Sequence, residues 1–568
     1  MSAWENLGRI LGFTQERSEF ELLETEPGSP TFRGGWARRR GAEGEDGGPL
    51  PGGPGKRPRP VASRQGPAGQ VYEAEDAPPS GGSVPSALDD ALKLLRVDFR
   101  ADINPDLIIR RFKLGGAVNA AAVFLNGMAS GNAVNDFILR EGMREGCLAG
   151  AKPPYIPLVI RHVFTFNEMD VEEGWEQVKG AILDGKTAVL IDGEAKAVVA
   201  DTRGYEHRGV GQAQNEKVVK GPQEGFSENM RTNITLLRRA IRREDFVCEM
   251  RPSGGANGLK VGILYLEGTA NPSLVQEVKR RLAQVDTRVT LGMGMLEQLT
   301  ERHRLSPFPQ ILSTERPDRA ANYIMQGFVA VLLEGAPFAN IMPTTLWALM
   351  ASPEDAYLRE PQGNIVRVVR YMGAIISILL PSYFLSLALY HQGMLSTEVV
   401  STVIASREMV FAPLGIELVF LLAVFQLIRE AGLRVPGSIG QAIGIIGGLI
   451  LGQAAVSANL ASSVILIIVA LSGLGNFCMP DYSTQISASY FRLSLVLAAW
   501  LAGLLGIVCV ATLSLGAMAR LKSYGVPFLA PVAPKTYAKQ PAILRGPLRM
   551  HMEAVDFTNT TASPGGPR

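Results

Sequence analysis

Cysteine and histidine are scarce in this chain of 568 residues, which contains four cysteines and five histidines. They lie far apart, so neither the C-x-x-C spacing of zinc sites nor the dense pattern of a disulfide framework is present. We expect the cysteines to pack as isolated small apolar residues. We also expect no metal site and no bound cofactor.

An excess of charge of one sign is missing as well. The chain carries 56 basic and 54 acidic residues, a formal net charge of +2. A protein whose main partner is nucleic acid needs a basic face to neutralise phosphates, so this balance argues against such a partner. The sequence also shows no nucleophile or acid–base constellation, and we therefore expect that the chain is not an enzyme.

A secretory signal peptide is missing too, because the N-terminus has no basic start followed by an apolar core. We therefore expect the large charged part of the chain, which ends near Arg370, to stay in the cytoplasm.

Charge then almost disappears between Tyr371 and Ala519. Since about 20 apolar residues span the hydrocarbon core of a bilayer, this segment predicts an integral membrane domain at residues 361–520, with four to five helices. The apolar stretches are residues 371–390, 409–428, 435–480 and 493–519.

The third apolar stretch is too long for one crossing, with 46 residues between 435 and 480. It predicts either a broken helix or a helical hairpin, with the break at "SANLAS", residues 457–462. Basic residues precede the first stretch, separate the second from the third and follow the last, which favours an even number of crossings and two cytoplasmic termini. A hairpin would make five crossings and expel the C-terminal tail, so we prefer a broken or re-entrant element.

Several residues of this domain are candidates for an ion path or for helix packing. Glu417 is the only carboxylate well inside a predicted crossing, where such a residue usually faces a bundle interior or a cavity. Glycines at four-residue spacing form one smooth stripe on a helix, which allows close helix approach or lines a conduction path. Gln453 extends that face. The stripe consists of Gly440, Gly444, Gly448 and Gly452. Arg429 and Glu430, at the end of the second stretch, are expected at the membrane interface.

The soluble part contains two pairs of similar phrases. "GKTAVLIDGEAKAVVADT" from Gly185 resembles "GFVAVLLEGAPFANIMPT" from Gly327, and the passage ending in Asn126-Gly127 resembles the one ending in Glu267-Gly268. The offsets are 142 and 141 residues, which indicates an internal duplication. Each copy is expected to end in a hairpin, with a turn glycine supplying a positive φ.

The acids before those turn glycines, Asp192 and Glu334, are interpreted as turn residues in preference to catalytic ones. Four arginines between residues 238 and 243 are expected on a helix, either on a solvated face or in contact with an acidic partner or anionic headgroups.

The fold class expected from these features is a multi-domain α+β protein, in which duplicated cytoplasmic α/β units precede an all-α polytopic membrane domain. The domains are a disordered Gly/Pro-rich region at 1–86, a first unit at 87–210, a basic helical connector at 211–250, a second unit at 251–360, the membrane domain at 361–520 and a cytoplasmic tail at 521–568.

Motifs throughout the ordered part resemble one known family, the GerA family of spore germination proteins, and specifically the A subunit of nutrient germinant receptors. The matching passages include "GPQEGFSENMRTNITLLRRAIR", "SPFPQILSTERPDRAA", "LIREAGLRVPGSIGQAIGIIGGLILGQAAV" and "LKSYGVPFLAP". They follow the order of the family from about residue 90 to residue 534.

The resemblance implies a multi-pass protein of the spore inner membrane with a cytoplasmic N-terminal region. It also implies assembly with a transporter-like B subunit and a lipoprotein C subunit. Family members are thought to oligomerise into a ring-shaped ion channel that opens when nutrient binds, and no catalytic residues come with the family.

Two departures leave alternatives open. Leu422 and Gln426 stand where family members often carry acids. A related branch of the family acts beside the dipicolinate-release machinery, so an accessory channel or scaffold is an alternative to a receptor subunit. A secondary transporter with substrate bound at the broken third stretch is a further alternative.

Overall fold

The computed structural model of the protein describes residues 82–148, 152–166, 168–204, 211–213, 215–252, 260–285, 292–304, 306–434, 452–533, 543–546 and 558. Most of the predicted disordered region therefore lies outside the described residues. The first unit extends ahead of the predicted boundary at residue 87, because the buried Val84 donates its backbone N–H to Glu173 O at 3.0 Å.

The first unit is an antiparallel five-stranded sheet covered by helices on both faces. Its alternating apolar residues are buried on both sides: Ala121 and Val123 pack against α1 and α2, whereas Ala120 and Ala122 pack against the two irregular helical runs. The elements are α1 Leu88–Asp98, β1 Leu107–Leu114, β2 Val118–Leu125, β3 Met169–Glu172, α2 Trp175–Leu183, β4 Thr187–Ile191 and β5 Ala197–Ala200. The helical runs are Gly131–Ala133 with Val134–Leu139 and Arg140–Gly142, and Ile156–Leu158 with Val159–Val163.

The second unit has a sheet of the same strand order. The first sheet is ordered β1-β2-β4-β5-β3 and the second β6-β7-β9-β10-β8, with neighbours antiparallel in both. The predicted hairpins that end the two units are confirmed as β4–β5 and β9–β10. The elements are α3 Met230–Ile241, β6 Phe246–Pro252, β7 Lys260–Leu266, α4 Pro272–Ala283, α5 Met293–Thr300, β8 Leu312–Thr314, α6 Pro317–Met325, β9 Val329–Leu333, β10 Ala339–Met342 and α7 Leu346–Met350.

The structure corrects the predicted connector at 211–250. Its helix α3 is not a separate linker, because Met230, Ile234 and Leu237 are buried in the same hydrophobic core as the second sheet. Strand β6 also starts ahead of the predicted boundary at 251. In order along the chain, α3 and β6 correspond to α1 and β1 of the first unit.

Each turn acid accepts a backbone N–H at the start of another element, a helix in the first unit and strand β7 in the second. Asp192 Oδ1 accepts the backbone N–H of Leu88 at 3.1 Å, and the next residue, Gly193, has φ 87°. In the second unit Glu334 Oε2 accepts the N–H of Lys260 at 3.4 Å, before Gly335 at φ 83°. The turn interpretation of both acids agrees with these contacts.

The connector arginines pair with carboxylates of the protein itself. Arg238 is buried, and its Nη2 lies 3.2 Å from Asp106 Oδ2 and 3.1 Å from Asn104 Oδ1, both in the first unit. A uniformly solvated face is therefore wrong for this helix. The four pairs are Arg238 with Asp106, Arg239 with Glu224, Arg242 with Asp184 and Arg243 with Asp245.

A block of helices follows the second unit. Within the described residues, two of them, α8 and α12, are long and apolar enough to cross a membrane, and α11 is apolar but shorter. The helices are α8 Glu360–Tyr390, α9 Thr397–Arg407, α10 Leu414–Arg434, α11 Ser463–Phe477 and α12 Tyr482–Arg520.

Helix α12 is folded back on itself at Ala502 and Gly503, where Gly503 has φ 59° and ψ −140°. The ring of Phe308, in the second unit, lies 4.8 Å from the ring of Phe491 and 5.8 Å from that of Phe528. A straight helix of 39 residues would be about 58 Å long and would keep those two residues far apart. The predicted single passage at 493–519 is therefore two antiparallel arms.

At this reversal, backbone carbonyl groups lose their helical hydrogen bonds, and a side chain from α8 binds them instead. The hydroxyl of Tyr390 donates to Trp500 O at 2.7 Å and lies 3.3 Å from Leu501 O. Such pairing is what makes non-helical backbone tolerable among apolar helices. The reversal therefore lies at the end of the block farthest from the second unit, beside the end of α8.

The chain also reverses within residues 435–480. The N–H of Ser462 donates to Glu417, near the start of α10, whereas Asn476 accepts from Arg429, near the end of α10. Ser462 and Asn476 therefore lie level with the two ends of α10, so α11 runs in the same direction as α10.

The break itself lies where the sequence predicts, at residues 458–461, between a helical segment at 452–457 and α11. Across this break the segment at 452–457 lies against α11, because a Cβ on Gly452 would lie 3.4 Å from Leu466. Residues 435–451, on which the choice between a hairpin and a broken or re-entrant element depends, lie outside the described residues. The second reversal at Gly503 brings the tail back.

The predicted tail is partly a component of the second unit. Leu521, Tyr524, Val526, Phe528 and Ala530 are buried in its hydrophobic core. Two short strands, β11 Lys522–Ser523 and β12 Val526–Pro527, form a small sheet there.

We predict that Asp106→Ala weakens the contact between the two units. Burial raises the pKa of Asp106, and the nearby Arg238 only partly offsets it, so the pair adds little net stability. Its loss nevertheless leaves Arg238 buried without its carboxylate, which costs about 3–5 kcal/mol. Pulse proteolysis of the full chain measures the loss. Asp90→Ala, which breaks an exposed pair with Lys93, is the control and should cost less than about 1 kcal/mol; equal losses would contradict the prediction.

Candidate functional site

Glu417 lies inside the helical block, with its side chain fully buried. One carboxylate oxygen, Oε1, accepts the backbone N–H of Ser462 at 2.6 Å, and the other lies 3.3 Å from Arg407 Nε. Ser462 in turn caps α11 by accepting the N–H of Ile465 at 3.4 Å. Glu417 therefore joins the start of α10 to the break in the third apolar stretch.

Arg407 is the partner that the sequence did not identify. Its Nη2 also donates to Ala412 O at 2.9 Å, so the side chain bridges the loop between α9 and α10. The two residues are ten positions apart with a helix end between them, a separation at which no periodicity predicts contact. Leu414 and Leu418, which flank Glu417 on α10, are buried in one hydrophobic cluster with Ile465 of α11.

The glycine stripe lies mostly outside the described residues, which include neither Gly440 nor Gly444 nor Gly448. Gly452 is described, and a Cβ added there would lie 3.4 Å from Leu466, an ordinary contact with α11. Gln453 is exposed.

Close helix approach through glycine occurs at another place, between α8 and α11. A Cβ on Gly475 would collide with the carbonyl oxygen of Gly373 and lie 3.1 Å from Ser377 N. The two backbones can approach only because neither residue has a side chain. The sequence offered a weak signal for this contact in the small residues of "LSGLGNF".

Arg429 faces the inside of the block, not only its surface. With the Asn476 amide assigned to satisfy both of its neighbours, the amide oxygen accepts from Arg429 Nη1 at 2.7 Å and the nitrogen donates to Gln485 O at 3.3 Å. Snorkelling alone therefore does not describe Arg429. Glu430 is exposed.

The start of α8 is held by a buried charge cluster. Asp355 accepts from Arg367 Nε at 2.9 Å and from both terminal nitrogens of Arg370, at 2.9 and 3.0 Å. Burial on its own would raise the pKa of Asp355, but the hydrogen bonds and charges of the two arginines hold it below its ordinary value. Arg370 also donates to Met350 O at 3.0 Å, which ties α8 to the second unit.

Residues that follow α12 also bind to the segment that joins the second unit to α8. Arg545 donates its backbone N–H to Asn364 at 2.6 Å and its Nη2 to Ala356 O at 3.0 Å. Trp347 Nε1 donates to Leu529 O at 3.2 Å. The segments before and after the helical block are therefore bound to each other as well as to the second unit.

A cluster of three acidic residues, Glu297, Glu301 and Asp481, lies between α5 and the start of α12. Burial, followed by the charges of Glu301 and Asp481, raises the pKa of Glu297 from 4.5 to about 8. Asp481 caps α12, where its Oδ2 accepts the N–H of Thr484 at 2.7 Å. Glu297 is thus protonated in the folded protein over much of the neutral range.

We predict that Glu417→Ala destabilises the helical block. The change removes a charge-assisted hydrogen bond from Ser462 and strands Arg407, which costs roughly 2 kcal/mol. Thermal unfolding of the purified full chain measures the loss. Glu430→Ala, an exposed carboxylate on the same helix, is the matched control and should shift the melting temperature much less. Equal shifts would show that the contacts of Glu417 contribute little.

We also predict a dependence of stability on pH at Glu297. Between pH 4.5 and about 8 the folded state binds more protons than the unfolded state, because the folded pKa is raised. Stability should therefore fall as the pH rises through this window. Glu297→Gln should flatten the fall in melting temperature relative to the wild type. The exposed Glu145→Gln is the control, and a slope unchanged in Glu297→Gln would refute the prediction.

Comparison with known proteins gives matches along most of the chain. The family model described as Bacillus/Clostridium GerA spore germination protein matches residues 94–555. Spore germination protein GerLA of Bacillus cereus is 33% identical over 460 residues, which are 81% of this chain and 93% of that protein. Spore germination protein A1 of Bacillus subtilis (strain 168) is 37% identical over 352 residues, which are 62% of this chain and 73% of that protein.

A solved structure is also similar, the N-terminal domain of the A subunit of the Bacillus megaterium spore germinant receptor GerK3. It shares 23% identity with a TM-score of 0.38 and covers 46% of this chain and 97% of that one. The family match extends beyond the two α/β units, through the helical block and into the residues that return to the second unit. The chain therefore belongs to the GerA family of spore germination proteins.

Proposed function

We propose that the protein is the A subunit of a spore germinant receptor, that it oligomerises, and that its helical block forms a nutrient-gated ion channel. The observation that carries the proposal is the anchoring of both ends of the helical block in the second unit. Residues before α8 and residues after α12 share one hydrophobic core. A movement of that unit therefore acts on the first and last helices of the block together.

The proposal places the helical block in the membrane as a multi-pass domain. Two helices are long and apolar enough to cross, and with the reversals at 458–461 and Gly503 the block returns its last residues to the starting side. Basic residues collect on that side, which supports a cytoplasmic location for the two units. They are Arg367, Arg370, Arg429, Arg434, Arg520 and Lys522.

The two α/β units are proposed to be copies from an internal duplication. Two observations support this proposal: the phrase offsets of 142 and 141 residues, and the identical strand order of the two sheets. In the assembly these units would form a cytoplasmic ring. We further propose that the chain is not an enzyme, since the turn acids Asp192 and Glu334 accept backbone N–H groups.

Signal transfer is proposed to run through the Asp355 cluster. Arg367 and Arg370 lie on α8, whereas Asp355 lies in the segment that joins α8 to the second unit. A rotation of the unit therefore pulls on α8 through charge-assisted hydrogen bonds. The proposed partners are a transporter-like B subunit that binds the nutrient and a lipoprotein C subunit.

The runner-up is an accessory channel or scaffold that acts with the dipicolinate-release machinery. The genes beside this one discriminate the two, because adjacent B and C subunit genes favour a receptor. A pure scaffold predicts that Gly448→Leu leaves ion release normal, whereas a channel predicts its loss. A secondary transporter would instead show saturable uptake by the purified chain alone.

We predict that the chain, reconstituted in liposomes with its B and C subunits, releases cations when nutrient is added. Asp355→Asn should reduce the nutrient-triggered efflux by roughly tenfold, within the usual range of allosteric coupling. Nutrient binding should persist, because the nutrient is proposed to bind the B subunit and not this chain.

The exposed Asp90→Asn is the matched control and should leave efflux unchanged. An oligomer that conducts no ions, with and without its partners, would refute the channel. Efflux unchanged in Asp355→Asn would refute the proposed transfer route while leaving the channel in place.

A further inference from the structure

Arg492 is a buried cation on the first arm of α12, with 3% of its surface exposed. In the part of the chain that the structure describes, its one hydrogen bond runs from Nη1 to Ser472 Oγ at 3.1 Å. The Ser472 hydroxyl itself donates to Ser377 O on α8 at 2.7 Å. A guanidinium has five N–H donors, so most of its hydrogen-bonding capacity is unused by these neighbours.

Among the residues that the structure describes, no carboxylate forms an ion pair with Arg492. Between Tyr371 and Arg520 the sequence contains only Glu398, Glu408, Glu417, Glu430 and Asp481. Glu417 is bound to Arg407 and Ser462, and Asp481 caps α12. Glu398, Glu408 and Glu430 are exposed. Burying a charge without a counter-charge is unfavourable, so its retention here calls for an anion from outside the chain.

A second arginine points at the same helix face. Arg429 donates to Asn476, and Arg492 donates to Ser472. Ser472 and Asn476 are four residues apart on α11, so they lie one above the other on one side of that helix. Neither guanidinium forms an ion pair with a carboxylate among the residues that the structure describes. Two like charges therefore converge on one turn of α11.

A hydroxyl group beside this turn is buried without a hydrogen-bond partner among the described residues. It belongs to Ser377, whose carbonyl oxygen accepts the Ser472 hydroxyl. Because a hydroxyl can donate a hydrogen bond, this unpaired atom suits a site that an acceptor completes.

The position of the cluster makes it reachable from the side of the second unit. Arg492 directly follows Phe491, whose ring contacts Phe308 of that unit. Asn476 lies at the last turn of α11, and Arg429 at the last turns of α10. The cluster therefore lies at the end of the block near the second unit. In the membrane placement proposed above, this is the depth where the headgroups of a bilayer and the aqueous phase meet.

We infer that Arg492 and Arg429 bind an oxyanion of the phosphate class, held by the two guanidinium groups with the Ser377 hydroxyl as a further donor. Arginine suits this task because its planar fork matches the geometry of phosphate oxygens. The anion is either a free phosphate from the aqueous side or the phosphodiester of an anionic lipid. It neutralises the cation pair where α8, α10, α11 and α12 meet, and so locks the four helices together. The site does not depend on the channel proposal, because it requires only these helices.

The test measures the melting temperature of the purified full chain at constant ionic strength. One arm adds inorganic phosphate in place of chloride in detergent. The other arm compares vesicles of phosphatidylglycerol with vesicles of phosphatidylcholine. We expect a saturable rise in one arm, and Arg492→Gln should weaken the half-saturating concentration at least tenfold. A rise with phosphate identifies a free anion, and a rise with phosphatidylglycerol alone identifies a lipid headgroup.

Arg407→Gln is the matched control, since this arginine of the same block already has Glu417, and it should keep the full response. Arg429→Gln is a second variant that decides the matter if Arg492→Gln does not fold. The inference is overturned if the wild type shows no saturable rise in either arm. It is also overturned if the folded Arg492→Gln, or Arg429→Gln in its place, responds as the wild type does.

Discussion

One hydrophobic core holds the chain on both sides of the helical block. Residues of the second sheet and residues that follow α12 are buried together in it, with Tyr524, Val526 and Phe528 among them. The helical block therefore starts from the second unit and returns to it, so both of its ends are fixed. Because the last residues of the block must return to the second unit, α12 reverses at Gly503. This return also keeps the C-terminal tail beside the second unit although the chain reverses at 458–461.

The polar contacts at the two ends of the block determine where its helices begin and turn. The charged residues near the second unit, Asp355 with Arg367 and Arg370, fix where the excursion begins. Those at the far end, Glu417 with Arg407, fix where the third stretch turns. Both carboxylates are buried and each accepts more than one hydrogen bond, the condition under which burial of charge is tolerated.

Local sequence patterns predicted hairpins of the soluble part but not the boundaries of its two units. The repeated phrases and their turn glycines predicted both hairpins, which are β4–β5 and β9–β10. The sequence instead predicts a basic connector at 211–250 in which the α3 helix belongs to neither unit. Arg238 is buried against Asp106, some 130 positions away, and a contact at that separation leaves no local signal.

The sequence by itself determined the family, the apolar block, the break at "SANLAS" and the candidate importance of Glu417. These follow from composition, spacing and motif, which depend on neighbours along the chain. Only the tertiary structure decided the partner of Glu417, the reversal at Gly503, the contact of Arg429 with Asn476 and the return of the tail to the second core. Each joins residues whose separation is set by the packing of whole helices, and a hydropathy pattern records where a helix is apolar but not which way it runs.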